Sequence, residues 1–130
     1  MIGIVVAAHG NLGGELIRTA EDVIGKIEQC VAVDLHDLAH ATERFSAAVQ
    51  SVDKGDGILI LTDMFGGTPS NLAISCMSRP KVEVLAGINL PMLVKLAKVR
   101  EERSLPDAIA MAQEAGRKYV TIASRVLAGK

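Results

Sequence analysis

Four short runs of apolar residues recur along the chain, separated by polar segments that contain glycine and proline. Each run is nearly continuous rather than alternating, and valine, isoleucine and leucine dominate it. Strands buried on both faces of a parallel sheet have this composition. The pattern therefore predicts four parallel strands, over residues 2–9, 30–36, 57–63 and 82–89.

The segments between these runs carry apolar residues at helical spacing. The first stripe consists of Leu16, Ala20, Val23 and Ile27. Strands that alternate with helices are typical of an α/β fold with helices on both faces of the sheet. We predict one domain, residues 1–130, built as a three-layer doubly wound sheet with its four parallel strands in the order 2-1-3-4.

The C-terminal region is predicted from three local signals. Ser104 has the character of a helix N-cap, and Gly116 is expected to end the helix that Ser104 opens. The run 118–123, "KYVTIA", favours a fifth strand. This strand is more polar than the other four, so it is expected either at the edge of the sheet or paired with another subunit.

Composition excludes several classes of function. The formal net charge is −1 and aromatic residues make up 2% of the chain, so neither the basic surface nor the stacking platform of a nucleic-acid-binding protein is expected. Cys30 and Cys76 lie in apolar contexts far apart, which is typical of reduced thiols in a cytoplasmic protein. No basic segment precedes the first apolar run, and no apolar run is long enough to cross a bilayer. A cytoplasmic protein without membrane insertion is expected.

Candidate chemistry lies where the strands end, because ligands of open α/β sheets bind beyond the carboxyl ends of the strands. The first predicted strand ends at His9 and the third at Asp63. In the order 2-1-3-4 these two strands are neighbours, so the two side chains are expected to touch. The carboxylate would fix the tautomer of the imidazole and leave the second ring nitrogen free as a nucleophile or base.

The residues that follow each of these strands suggest what the histidine attacks. Gly66, Gly67 and Thr68 precede a proline, a pattern that begins a helix and exposes backbone N–H groups to an anion. Gly10 opens a second glycine-containing turn after His9. A histidine between two such turns is arranged to carry a phosphoryl group, since positioned donors stabilise the charge that spreads over its oxygens.

Three segments carry a family resemblance: "IVVAAHGNLGGEL", "ILILTDMFGGTPSNLA" and "VLAGINLPML". Together, and in this order, they resemble the enzyme IIA domain of the mannose family of the bacterial sugar phosphotransferase system. The most specific part is the Asp-x-x-Gly-Gly-[Thr/Ser]-Pro segment, and the similarity runs through almost the whole chain.

The resemblance implies a phosphoryl carrier. In such a domain the phosphocarrier HPr donates a phosphoryl group to Nε2 of the residue matching His9, and a IIB component receives it during sugar uptake. Asp63 matches the residue that holds Nδ1, and Thr68 matches a Ser/Thr beside the site. The family also implies a homodimer that exchanges an antiparallel fifth strand. Neither a metal nor a cofactor is implied, because the donor is already a phosphohistidine.

Apolar residues near the predicted site have two readings. Leu12, Met64 and Phe65 suit the docking of a partner protein if they are exposed around His9. Phe65 is equally compatible with burial in the core.

Other functions are also compatible with the sequence. One is the phosphocarrier subunit of a dihydroxyacetone kinase, although the "DMFGGTPSN" loop fits the mannose type better. A second is a binding module without a transport role, whose phosphorylation signals to a regulator. His36 and His40 are spaced as zinc ligands on a helix can be, but they are expected on a strand end and loop, where a solvated patch is favoured over a metal site.

Overall fold

The structure is a computed structural model that describes residues 1–129. Residue 130, the last of the predicted domain, lies outside the described residues. Four strands form one sheet, and the chain alternates between strands and helices up to the fourth helix. The strands are β1 (Gly3–Ala8), β2 (Cys30–Asp34), β3 (Ile58–Thr62) and β4 (Val82–Ala86). The helices are α1 (Leu12–Ile24), α2 (Ala41–Val52), α3 (Thr68–Ser75), α4 (Leu90–Val99), α5 (Leu105–Lys118) and α6 (Ala123–Leu127), with a 3-10 turn at Cys76–Ser78.

The sheet is parallel throughout and its strand order is β2-β1-β3-β4, as predicted. In the register of the central pair, Ala7 lies opposite Thr62. The residues that follow these two positions therefore leave the sheet side by side. Each predicted strand extends past the observed one at its carboxyl end, because the residues after Ala8, Asp34, Thr62 and Ala86 have already left the sheet.

Two apolar cores separate the sheet from its helices and make the fold three-layered. Alternate residues of β1 point to opposite faces, so Ile4 and Val6 pack with α1, α4 and α5, while Val5 and Ala7 pack with α2 and α3. All of β1 and β3 is buried. Burial on both faces explains why these strands are continuous apolar runs.

The beginning of α5 agrees with the prediction, but its end does not. The Ser104 side chain accepts a hydrogen bond from the Asp107 N–H and so caps the helix. Gly116 does not end α5, which continues to Lys118. A Cβ at Gly116 would lie 2.8 Å from Met92 Cε, so the glycine instead permits close packing of α5 on α4.

The predicted fifth strand over 118–123 is wrong for the single chain. Lys118 belongs to α5 and Ala123 begins α6, and the four residues between them form no strand. Their apolar side chains face solvent, as do those of α6: Tyr119, Val120, Ile122, Val126 and Leu127. An edge position within this chain is thus excluded, and pairing with another subunit remains a prediction.

Candidate active site

The site is built on the carboxyl ends of the two central strands. His9 follows β1 directly and Asp63 follows β3 directly, and the parallel register brings them into contact. One carboxylate oxygen of Asp63, Oδ2, lies 2.8 Å from His9 Nδ1 and 2.9 Å from the His9 backbone nitrogen. The predicted contact between these side chains is therefore present.

The charge on Asp63 follows from its surroundings. Burial disfavours the carboxylate, but hydrogen bonds from the His9 backbone N–H, the His9 ring and the Met64 N–H outweigh it and hold the pKa of Asp63 below its usual value. An ionised carboxylate only accepts hydrogen bonds, so the proton of the neutral imidazole sits on Nδ1. Nε2 then carries the free lone pair.

The side chains of His9 and Asp63 differ in their exposure to solvent. The His9 side chain is 50% exposed, whereas that of Asp63 is 13% exposed. The imidazole can therefore meet another molecule while the carboxylate that orients it stays largely shielded. This division suits a side chain that receives a group from outside the protein.

The Gly66–Gly67 turn lies directly against the imidazole. A Cβ placed on Gly67 would come within 2.9 Å of His9 Cε1 and 3.3 Å of Nε2, so only glycine leaves room for the ring in this position. Gly66 has φ +97°, in the left-handed region that favours glycine. The turn leads into α3, whose first residues are Thr68 and Pro69.

The backbone N–H groups of this turn differ in their partners. The Gly66 N–H donates to Ser70 Oγ at 2.8 Å and is already engaged. Within residues 1–129, the N–H groups of Gly67 and Thr68 have no hydrogen-bond partner. Among the residues predicted to bind phosphate from this turn, Gly67 and Thr68 therefore offer free amides and Gly66 does not.

The turn after His9 differs from the expectation of a second free anion site. Gly10 has φ +57°, and its N–H has no partner within the described part of the chain. Further on, the Gly14 N–H donates to Asp34 Oδ1 at 3.1 Å, so a carboxylate of the protein already occupies the beginning of α1. A Cβ on Gly13 or on Gly14 would lie 2.9 Å from an oxygen of that carboxylate.

Sequence reasoning missed Asp34 and Ser70. The signal for Asp34 was an acidic residue at the end of the strand beside β1, next to a helix that starts with glycines. The signal for Ser70 was a hydroxyl residue in the first turn of the helix after the Gly-Gly pair. Neither pattern specifies the contact without the fold.

The apolar residues expected near the site are all exposed. Phe65 is 76% exposed, Met64 58% and Leu12 44%. The alternative in which Phe65 fills the core is therefore excluded.

A cavity lies away from this site. A space of about 700 Å³ between α4 and α5 is lined by residues that include Leu90, Met111 and Tyr119, and it contains neither His9 nor Asp63. Within residues 1–129 no group of three His, Cys, Asp or Glu side chains is placed to hold a metal ion, and His36 and His40 belong to no such group. None of the helices in that range combines the length and apolarity needed to cross a membrane.

Comparison with known proteins identifies the family of the chain. The family model for EIIA-man, described as the PTS system fructose IIA component, matches residues 3–113. The chain belongs to the EIIA-man family. The family membership predicted from the sequence is confirmed. The chain is an EIIA component of the sugar phosphotransferase system.

Two curated relatives differ in how much of their own length the EIIA-man chain matches. It is 34% identical over 124 residues to the mannose-specific EIIAB component of Escherichia coli K12, an alignment that covers 92% of this chain and 38% of that protein. It is 28% identical over 122 residues to the fructose-specific EIIA component of Bacillus subtilis 168, covering 88% of this chain and 84% of that one. The chain thus spans little more than a third of the mannose-specific relative.

A solved structure shows the same fold. The EIIA component from Streptococcus agalactiae superimposes with a TM-score of 0.86 at 24% identity, over 96% of this EIIA chain and 99% of that one. The four-stranded parallel sheet with helices on both sides is therefore the architecture of known EIIA structures.

Proposed function

We propose that this EIIA domain carries a phosphoryl group on Nε2 of His9, accepting it from phosphorylated HPr and passing it to a IIB component. The observation that carries the proposal is the hydrogen bond between Asp63 and His9 Nδ1, at 2.8 Å. It leaves Nε2 as the one ring nitrogen with a free lone pair, on a side chain that is half exposed.

The chemistry of the transfer needs only these groups and the turn beside them. The lone pair of Nε2 forms a new N–P bond in line as the N–P bond of the donor phosphohistidine breaks, and the donor imidazole leaves with that electron pair. Positive charge develops on the His9 ring, and the Asp63 carboxylate stabilises it through Nδ1–H. The free N–H groups of Gly67 and Thr68 are donors for the phosphoryl oxygens, and Gly10 offers another from the opposite turn.

Partner docking is the proposed role of the exposed apolar residues Leu12, Met64 and Phe65. Leu12 follows β1 by a few residues, and the other two follow Asp63 directly, so all three lie just beyond the ends of the two strands that carry His9 and Asp63. Both donor and acceptor in the proposed reaction are proteins, so a surface rather than a deep cavity is required. The remoteness of the α4–α5 cavity is consistent with this role.

A homodimer is the proposed assembly, supported by the apolar side chains exposed between Tyr119 and Leu127. In a single chain each of these apolar side chains stays more than half exposed. Exposed apolar clusters of this kind mark protein interaction sites. The edge strand β4 has a free side on which an added strand could pair.

Phosphorylation from labelled phosphoenolpyruvate, with enzyme I and HPr, tests the proposed function. We expect label on His9, and none after His9→Ala. The matched control is His36→Ala, which removes another exposed histidine outside the site and should leave incorporation unchanged. Label that persists in His9→Ala, or that disappears in His36→Ala, would contradict the assignment.

A further inference from the structure

A serine that the proposed reaction does not use directly lies beneath the Gly66–Gly67 turn. Ser70 is in the first turn of α3 and its side chain is fully buried, with 0% exposure. Its hydroxyl makes two hydrogen bonds at once: it accepts from the Gly66 N–H at 2.8 Å and donates to the Gly67 carbonyl oxygen at 3.0 Å. Both backbone partners belong to the turn that touches the His9 ring.

These two hydrogen bonds connect the Gly66–Gly67 turn to the first turn of α3. A hydroxyl has a single proton, so donation to Gly67 and acceptance from Gly66 determine its orientation. The Gly67 carbonyl also accepts from the Asn71 N–H at 3.0 Å, the first backbone bond of α3. Ser70 therefore ties the left-handed Gly66 to the beginning of the helix.

Ser70 affects the surroundings of His9 Nε2 through the position of Gly67. The Cβ position of Gly67 is 3.3 Å from His9 Nε2, so any movement of this residue changes the space beside the nucleophile. Because Ser70 engages the Gly66 N–H, that amide is occupied, whereas the Gly67 and Thr68 N–H groups that follow it have no partner within residues 1–129. The hydroxyl thereby determines which N–H groups of the turn can reach a phosphoryl group.

We infer that Ser70 is a positioning residue for phosphoryl transfer: its buried hydroxyl holds the Gly66–Gly67 turn against His9 so that the Gly67 and Thr68 amides are presented to the phosphoryl oxygens. The inference rests on the proposed function. Ser70 does not touch the reacting atoms or the partner, and it acts only through the backbone of the turn.

The experiment compares two serine variants of α3. Ser70→Ala removes both bonds to the turn. Ser75→Ala is the matched control, because the Ser75 hydroxyl also donates to the carbonyl three residues before it, that of Leu72, but at the other end of the helix. The bond between the Gly66 N–H and Ser70 Oγ is only partly buried and Gly66 itself is exposed, so the turn rather than the whole fold is expected to change in Ser70→Ala.

Single-turnover transfer from phosphorylated HPr separates positioning from partner binding. We expect Ser70→Ala to lower the maximal rate by about tenfold, the change that corresponds to one net hydrogen bond. The half-saturating concentration of HPr should stay unchanged, because a buried hydroxyl cannot contact HPr. Ser75→Ala should match the wild type in both quantities. An unchanged maximal rate in Ser70→Ala, or a change confined to half-saturation, would overturn the inference.

Amide chemical shifts of the wild-type protein give a second test that needs no variant. On phosphorylation, the Gly67 and Thr68 amide protons should shift strongly, while the Gly66 amide proton, already bonded to Ser70, should move little. A Gly66 shift as large as the other two would overturn the inference. Failure of the proposed function is distinguishable, because the wild type would then take up no label on His9 at all.

Discussion

Substitution of Gly67 by alanine isolates the contact between the turn and the imidazole. Gly67 has φ −87° and ψ 177°, a conformation open to any residue, so alanine causes no backbone strain. Its Cβ would lie 2.9 Å from His9 Cε1, closer than such atoms approach, so either the ring or the turn must move. Movement of the ring breaks the 2.8 Å hydrogen bond between Nδ1 and Asp63.

The size of the effect follows from that bond. A hydrogen bond to a charged group contributes about 1.5–3 kcal/mol, and the half-exposed ring argues for the lower end. A loss of about 1.5 kcal/mol in the transition state corresponds to a rate reduction of roughly tenfold. Alanine also lowers the entropy of the unfolded chain, which stabilises the fold by about 0.4–1 kcal/mol and offsets part of the lost bond. The free energy of unfolding should therefore change by less than about 1 kcal/mol.

Gly25→Ala is a control that should change stability but not the rate of phosphoryl transfer. Gly25 follows α1 and has φ +88° and ψ −176°, and no atom of residues 1–129 outside its chain neighbours lies within 4 Å of its Cβ position. Alanine there should lower the free energy of unfolding by about 1–3 kcal/mol through backbone strain. It should leave the transfer rate unchanged, because it does not approach the site.

Two measurements on both variants decide the matter: single-turnover phosphorylation by phosphorylated HPr, and urea unfolding. We expect Gly67→Ala to transfer the phosphoryl group slowly while keeping its free energy of unfolding. We expect Gly25→Ala to transfer it at the wild-type rate but to have a lower free energy of unfolding. If Gly67→Ala transfers the phosphoryl group at the wild-type rate, the turn does not confine the ring and the expected effect of the contact is refuted.

Two further perturbations test the carboxylate and the C-terminal segment. Asp63→Asn should slow phosphorylation by tenfold or more, since the amide can no longer stabilise charge on the ring, and unchanged kinetics would remove its orienting role. Because the pKa of Asp63 is lowered on folding from about 3.8, its contribution to stability is present above that pH and is lost as the pH falls through the folded value. The stability difference between wild type and Asp63→Asn, measured by urea unfolding, should therefore narrow below about pH 4. Deletion of residues 119–130 removes the exposed apolar segment, so it should convert a dimer to a monomer in sedimentation equilibrium; a dimer of unchanged affinity would exclude strand exchange by this segment.

The sequence by itself determined the sheet and the edge at which His9 and Asp63 meet. The four strands could be predicted because burial on both faces leaves a local record, a continuous apolar run. Once the strand order was assumed, the meeting of His9 and Asp63 followed, since parallel strands that neighbour one another end at the same edge. The Gly-Gly-Thr-Pro pattern also predicted the turn, because the backbone geometry of a turn is encoded within a few consecutive residues.

Only the tertiary structure decided which contacts form between segments that are distant in the sequence. The Asp34 carboxylate reaches the Gly14 N–H from another strand, 20 positions away, and thus fills a helix terminus that the sequence suggested was free. At the opposite end of the sheet the buried Arg100 guanidinium donates to the carbonyl of Ile2, 98 positions away. The end of α5 was likewise set by its packing on α4 rather than by the propensity of Gly116. Contacts between distant segments leave no periodic signal along a chain, and they exist only when the fold has brought those segments together.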